Sequence, residues 1–96
     1  MKLEFHPQAE QEFNDAVDYY EECSLGLGKQ LVLEIYAATD RIIAHPQAWP
    51  IIQGDIRRVL AHRFPYGLLY VVKKDVIQIL AVMNLNRHPD YWKNRV

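Results

Sequence analysis

Cysteine is almost missing from this chain: Cys23 is the only one, which excludes an internal disulfide and any cysteine-based zinc site. That usage fits a reducing compartment. Glycine occurs at four of 96 positions, too sparsely for a flexible or collagen-like polymer. No stretch approaches the roughly 18 apolar residues of a membrane span, and "MKLEFHPQAE" has no apolar core of a secretory signal. These absences predict a cytoplasmic protein with no membrane partner. Repeats, linkers and low-complexity tracts are also missing, so one domain is expected over residues 1–96.

What is present is divided by charge. The net charge of −1 conceals nine acidic against three basic side chains in residues 1–54, and three acidic against eight basic in residues 55–96. An asymmetry of this kind suggests a face that meets an anionic partner, although acids decorating helices and solvated arginines would produce it too.

The periodicity changes with the charge. "KLEF" is a short candidate strand, stopped by Pro7, which suits the first turn of a helix. Ala9, Phe13, Ala16, Val17 and Tyr20 then recur at helical spacing. Glu10, Glu12, Asp15, Asp18, Glu21 and Glu22 form an acidic outer side. "LGLG" (25–28) breaks this helix. A second stripe through Leu31, Ile35, Ala38 and Ile42 ends at His45–Pro46, since the residue before proline resists helix. The two form an αα-hairpin. Beyond Trp49, "IRRVLAHRF" (56–64) alternates like a half-exposed strand. "YGLLYVV" (66–72) and "VIQILAVMNL" (76–85) are apolar strands about a "KKD" turn, the last of them central and buried on both faces. The expected order is β-α-α-β-β-β, an α+β domain with a helical hairpin packed on a small, mainly antiparallel sheet.

Laid out this way, the chain resembles the RelE/ParE superfamily of bacterial type II toxins. The resemblance spans essentially the whole chain. It rests on the order of elements, on "RRVLAHRFPYGLLYVV" (57–72) and on "ILAVMNLNRHPDYWKNR" (79–95). It implies a toxin neutralised by an acidic, partly disordered antitoxin, whose complex contacts operator DNA. Two targets are compatible with the resemblance. A ParE-like member inhibits DNA gyrase and is not an enzyme. A RelE-like member is a ribosome-dependent mRNA endonuclease without metal or other cofactor. A degenerate, non-toxic member is a third alternative. A net charge of −1 departs from the basic character that docking on ribosomal RNA favours, and the "HPDYW" ending is closer to the ParE side.

Candidate residues follow these alternatives. Metal-free RNA cleavage needs a base, an acid and cations at the phosphorane. By residue type, Arg58, Arg63, Arg87, His88 and Tyr91 are the catalytic candidates if the chain is RelE-like. The partner-binding candidates are Arg57, Arg58, Arg63, Arg87, Tyr91, Trp92 and Arg95, facing an acidic antitoxin segment. Plainer roles compete with these. Trp92 suits an anchor folded back on the sheet, and Arg87 and Arg95 suit pairing with carboxylates to hold the tail. Tyr66 and Tyr70 suit packing against the helices. Trp49 is read as a core plug or a partner contact. His6 and His45, each before a proline, read as incidental, and His62 as a surface residue.

Overall fold

A computed structural model describes residues 1–87 and 90–95. Strand β1 (Lys2–Phe5) leads into helices α1 (Pro7–Cys23) and α2 (Leu27–Ala44), followed by strands β2 (Ile51–Gln53), β3 (Ile56–Leu60), β4 (Tyr66–Lys73) and β5 (Val76–Asn84). A 3₁₀ turn, Lys93–Arg95, follows. The five strands form one sheet in the order β1-β5-β4-β3-β2. β1 runs parallel to β5, and the other pairings are antiparallel.

The helical hairpin is set by local chemistry. Pro7 opens α1, and the His6 Nδ1 accepts from the Gln8 N–H at 3.1 Å, so His6 caps the helix rather than being incidental. Ala9, Phe13 and Ala16 supply the buried face. Gly26, at φ +86°, turns the chain into α2. The Glu21 carboxylate accepts from the Gly26 and Gly28 N–H groups at 2.9 and 3.0 Å, covering donors that α2 leaves open at its start. Gly28 sits inside α2, where a Cβ would lie 2.7 Å from the Val17 carbonyl oxygen, so its lack of a side chain lets the helices close. α2 stops at His45, before Pro46.

The sheet differs from the sequence expectation in two places. Ile51–Gln53 adds a short, exposed strand that turns through Gly54, at φ +55°, into β3. β3 itself stops at Leu60 rather than running to Phe64. Arg63 takes φ +70°, the Ala61 N–H closes the loop onto the Tyr66 carbonyl at 2.9 Å, and Pro65 has no N–H for a ladder. His62 therefore lies exposed in a loop, not on a strand.

Both faces of the sheet carry buried clusters. On the helix face, Val59, Leu68, Tyr70, Ile77, Ile79 and Val82 pack with Phe13, Leu31, Ile35, Ala38 and Ile42. The Tyr70 hydroxyl donates to the Pro46 carbonyl at 2.7 Å, and the Trp49 indole N–H donates to the Arg41 carbonyl at 3.2 Å. On the other face, Ile56, Leu69, Val71, Leu80, Ala81 and Met83 pack with Trp92 and Tyr91. A bulge opposite Leu69–Tyr70 makes Leu80 the extra residue of β5. Leu80 and its neighbour Ala81 consequently join the same cluster.

Candidate functional site

The tail folds back across the sheet and is held by one carboxylate. Glu12, on α1, accepts from both terminal nitrogens of Arg95, NH1 to Oε1 at 2.9 Å and NH2 to Oε2 at 3.1 Å. The same Oε1 accepts from the Val82 N–H at 3.1 Å, so Glu12 ties α1, β5 and the tail together. The Arg95 NH1 also donates to the Leu80 carbonyl at 3.0 Å. Both charges are largely withdrawn from water: the side chains of Arg95 and Glu12 are 6% and 13% exposed. A fork against a carboxylate in this setting is stronger and more directional than a surface pair.

Arg87 stands at the rim of this pair. It lies 3.8 Å from Glu12 Oε2 and stays 56% exposed, with its guanidinium carbon 4.0 Å from the centre of the Tyr91 ring. The Arg95 guanidinium carbon lies 5.1 Å from the same ring centre. Burial first, and then the Glu12 carboxylate, push the Tyr91 hydroxyl well above the ordinary tyrosine range. Its oxygen is buried with no hydrogen-bond partner among the described residues. Burial lowers the tendency of Arg95 to carry charge, but the hydrogen bond and charge of Glu12 outweigh it and raise its pKa. Beside these groups runs a groove of about 200 Å³ lined by Glu12, Asp15, Tyr19, Tyr66, Asn84 and Arg87, among others.

The structure brings Arg87, Tyr91 and Arg95 together around Glu12, with Trp92 at 2% exposure in the cluster beneath. In this conformation Trp92 and Arg95 present little surface to a partner. The remaining arginines are elsewhere. Arg57 donates to the Trp49 carbonyl at 2.6 Å and to Gln47 Oε1 at 3.0 Å, stitching β3 to the loop before β2. Arg63 donates to Gln30 Oε1 on α2 at 2.7 Å and lies 5.7 Å from the Phe64 ring centre. Arg58 lays its stem across Gly67, and its guanidinium has no hydrogen-bond or ion-pair partner among the described residues. His88 lies outside the described residues. Among the described residues no group of three or more His, Cys, Asp or Glu side chains could hold a metal.

Sequence reasoning missed Glu12, which it assigned to the acidic outer side of α1. The signal was its spacing: 9, 12, 13 and 16 form one helical stripe, and a carboxylate at the second of these positions faces inward with Ala9, Phe13 and Ala16. A charge placed there requires a buried partner, and Arg95 supplies it.

A helical hairpin on one face of a five-stranded sheet, with a basic aromatic tail on the other, defines a small α+β domain. The solved chromosomal ParDE toxin–antitoxin system from P. aeruginosa shares this fold with a TM-score of 0.65 at 18% identity, over 90% of this chain and 97% of that one. A search of curated protein sequences found no match. Residues 3–89 match the family described as ParE toxin of type II toxin-antitoxin system, parDE. The chain belongs to this ParE toxin family. Among the described residues, no helix is long and apolar enough to cross a membrane.

Proposed function

We propose that the chain is a toxin that acts by binding DNA gyrase and is neutralised by a cognate acidic antitoxin, rather than by cutting RNA. The observation that carries this reading is the chemistry beside Arg87. Glu12 and Asp15 line the groove beside that cation. Asp15 opposes a polyanion there, and Glu12, already paired with Arg95, offers it no attraction. Both terminal nitrogens of Arg95 are engaged by Glu12, and the Tyr91 hydroxyl is buried and harder to deprotonate than usual. Binding asks less of these groups: an exposed Arg87 beside the Tyr91 ring is enough for a protein contact.

Inducing the chain alone in a bacterial host tests the reading. Growth arrest with filamentation and an induced DNA-damage response is the expected result. Arrest without filaments, with immediate loss of protein synthesis, overturns it in favour of the ribosome-dependent nuclease. Unimpeded growth at high expression favours a non-toxic family member.

A further inference from the structure

The outer edge of the sheet carries a second site, at the end of β3. In the β2–β3 register β2 reaches only as far as Ile51 opposite Arg57, with the Arg58 N–H donating to the Pro50 carbonyl at 3.1 Å. Val59 and Leu60 have no β2 partner. The edge opens there into a groove of about 480 Å³, floored by Trp49, Pro50, Val59, Leu60 and Ala61. Arg41, Arg58 and His62 stand around it. The Leu60 carbonyl, on this edge, already accepts from the Arg41 guanidinium at 2.8 Å, so the strand's outward groups are within reach of a donor.

Three features decide what fits. First, no carboxylate lines this groove, whereas the groove beside Glu12 holds Glu12 and Asp15, and the grooves at the hairpin ends hold Glu4 and Asp75, or Asp55. Second, every other arginine is engaged: Arg41 by Leu60, Arg57 by Trp49 and Gln47, Arg63 by Gln30, and Arg87 and Arg95 by Glu12. Among the described residues Arg58, itself half-buried, is the only arginine whose guanidinium has no hydrogen-bond or ion-pair partner. A guanidinium partly removed from water binds a carboxylate more strongly than one fully solvated. Third, the floor is aliphatic apart from the single Trp49 ring, with Leu60 47% exposed, and the Trp49 N–H is tied down at Arg41. That floor suits an aliphatic side chain better than a stack of bases.

We propose that this edge groove seats an extended acidic segment of the antitoxin, with an aliphatic side chain lodged between Trp49 and Leu60 and a carboxylate closing on Arg58. The assignment rests on the toxin–antitoxin reading above and narrows it. Of Arg57, Arg58, Arg63 and Arg87, it gives the anion-binding role to Arg58 and leaves Arg57 and Arg63 to hold the toxin's own loops.

The probe is the product of each reading frame flanking that of this chain, co-purified with it and titrated against it at two salt concentrations. Arg58→Gln keeps the stem over Gly67 and is expected to weaken the complex by about 30-fold or more, Arg58→Glu by more still. Leu60→Ser is expected to weaken it about tenfold. Lys73→Glu, at the far end of the sheet, should leave affinity unchanged, and thermal melts of all variants should stay near the parent's. Parent-like affinity for both Arg58→Gln and Leu60→Ser in a complex that does form overturns the groove assignment and leaves the toxin–antitoxin reading standing. No complex with either flanking product contradicts that reading and takes the groove with it. An unaffected protein complex together with Arg58-dependent binding of a single-stranded RNA 10-mer overturns the assignment in favour of a nucleic-acid edge.

Discussion

The two faces of the sheet bury apolar residues by different means. On one, two long helices lay a continuous stripe of Ala9, Phe13, Leu31, Ile35 and Ile42 on the strands. On the other, a short tail covers Leu69, Leu80 and Met83 with Trp92 and Tyr91 and is latched by the Glu12–Arg95 pair. The helix face distributes its cohesion over many contacts, so one lost methylene is shared among neighbours. The tail face concentrates it in one ring and one ion pair. That concentration is what packs Tyr91 and Trp92 on the sheet beside Arg87.

Removing the ring is expected to have the largest effect. Trp92→Ala should cost about 3–5 kcal/mol, because a buried indole leaves a cavity that the sheet cannot close. For a domain of this size the melting temperature falls by about 4–8 °C per kcal/mol, so the loss is well over 10 °C. A melt within a few degrees of the parent would mean that the tail is not packed.

The latch comes next. Glu12→Gln leaves Arg95 buried without its counter-charge and should cost about 2–3 kcal/mol, somewhat under a fully enclosed pair because the rim near Arg87 is open. Adding Arg95→Met to Glu12→Gln should recover part of that loss, since the buried guanidinium without a counter-charge is then gone. Denaturation midpoints of the single and double variants measure this directly. Additive losses would show that Glu12 and Arg95 do not act as a pair.

These two predictions mark where the sequence was readable. Helical spacing placed α1 and α2, and β-branched apolar runs placed β4 and β5, because periodicity and burial are properties of each segment alone. Trp92 was legible as an anchor for the same reason: a large ring near a terminus must find cover. The latch was not, because it joins residues 12 and 95 and no local pattern couples them. Strand β2 escaped notice because it is three residues long and exposed, and its pairing is decided by the turn at Gly54. The end of β3 was missed because the left-handed backbone at Arg63 has no signature in an arginine. Arg58 was one basic residue among several until the partners of the others were known.

Arg87→Ala touches the rim of the latch, not its centre. Its side chain is more than half exposed and 3.8 Å from Glu12, so the stability change should stay within about 1 kcal/mol. Toxicity should nevertheless be weakened or lost, because this is the cation the tail presents. Thermal melts beside growth arrest on induction separate the two roles, and full toxicity of the variant would make the tail an anchor only.

The smallest effect is expected at Tyr91. Tyr91→Phe removes a buried hydroxyl without a partner, so stability at neutral pH should be unchanged or slightly higher. The folded state holds this hydroxyl protonated to a higher pH than the unfolded chain does. Below the ordinary tyrosine value of 10.0 its titration therefore leaves stability untouched, and as pH climbs above that value the buried hydroxyl increasingly favours the unfolded chain, where it ionises more easily. Tyr20, Tyr66 and Tyr70 are raised in the same direction, each chiefly by burial. Alkaline unfolding of Tyr91→Phe should accordingly be shallower than the parent's but not absent. A loss of about 1 kcal/mol at neutral pH would mean that the hydroxyl does bond to Glu12.

The claim that this chain works by binding, with its tail as a presented surface and not a catalytic centre, is tested most directly with purified gyrase and purified toxin. Plasmid supercoiling is followed as toxin is added, and the same preparation is added to a translation reaction whose mRNA is mapped for cuts. The account predicts loss of supercoiling with the parent chain, a weaker effect with Arg87→Ala, and intact mRNA. Unimpaired supercoiling alongside codon-positioned cuts in the mRNA would contradict it.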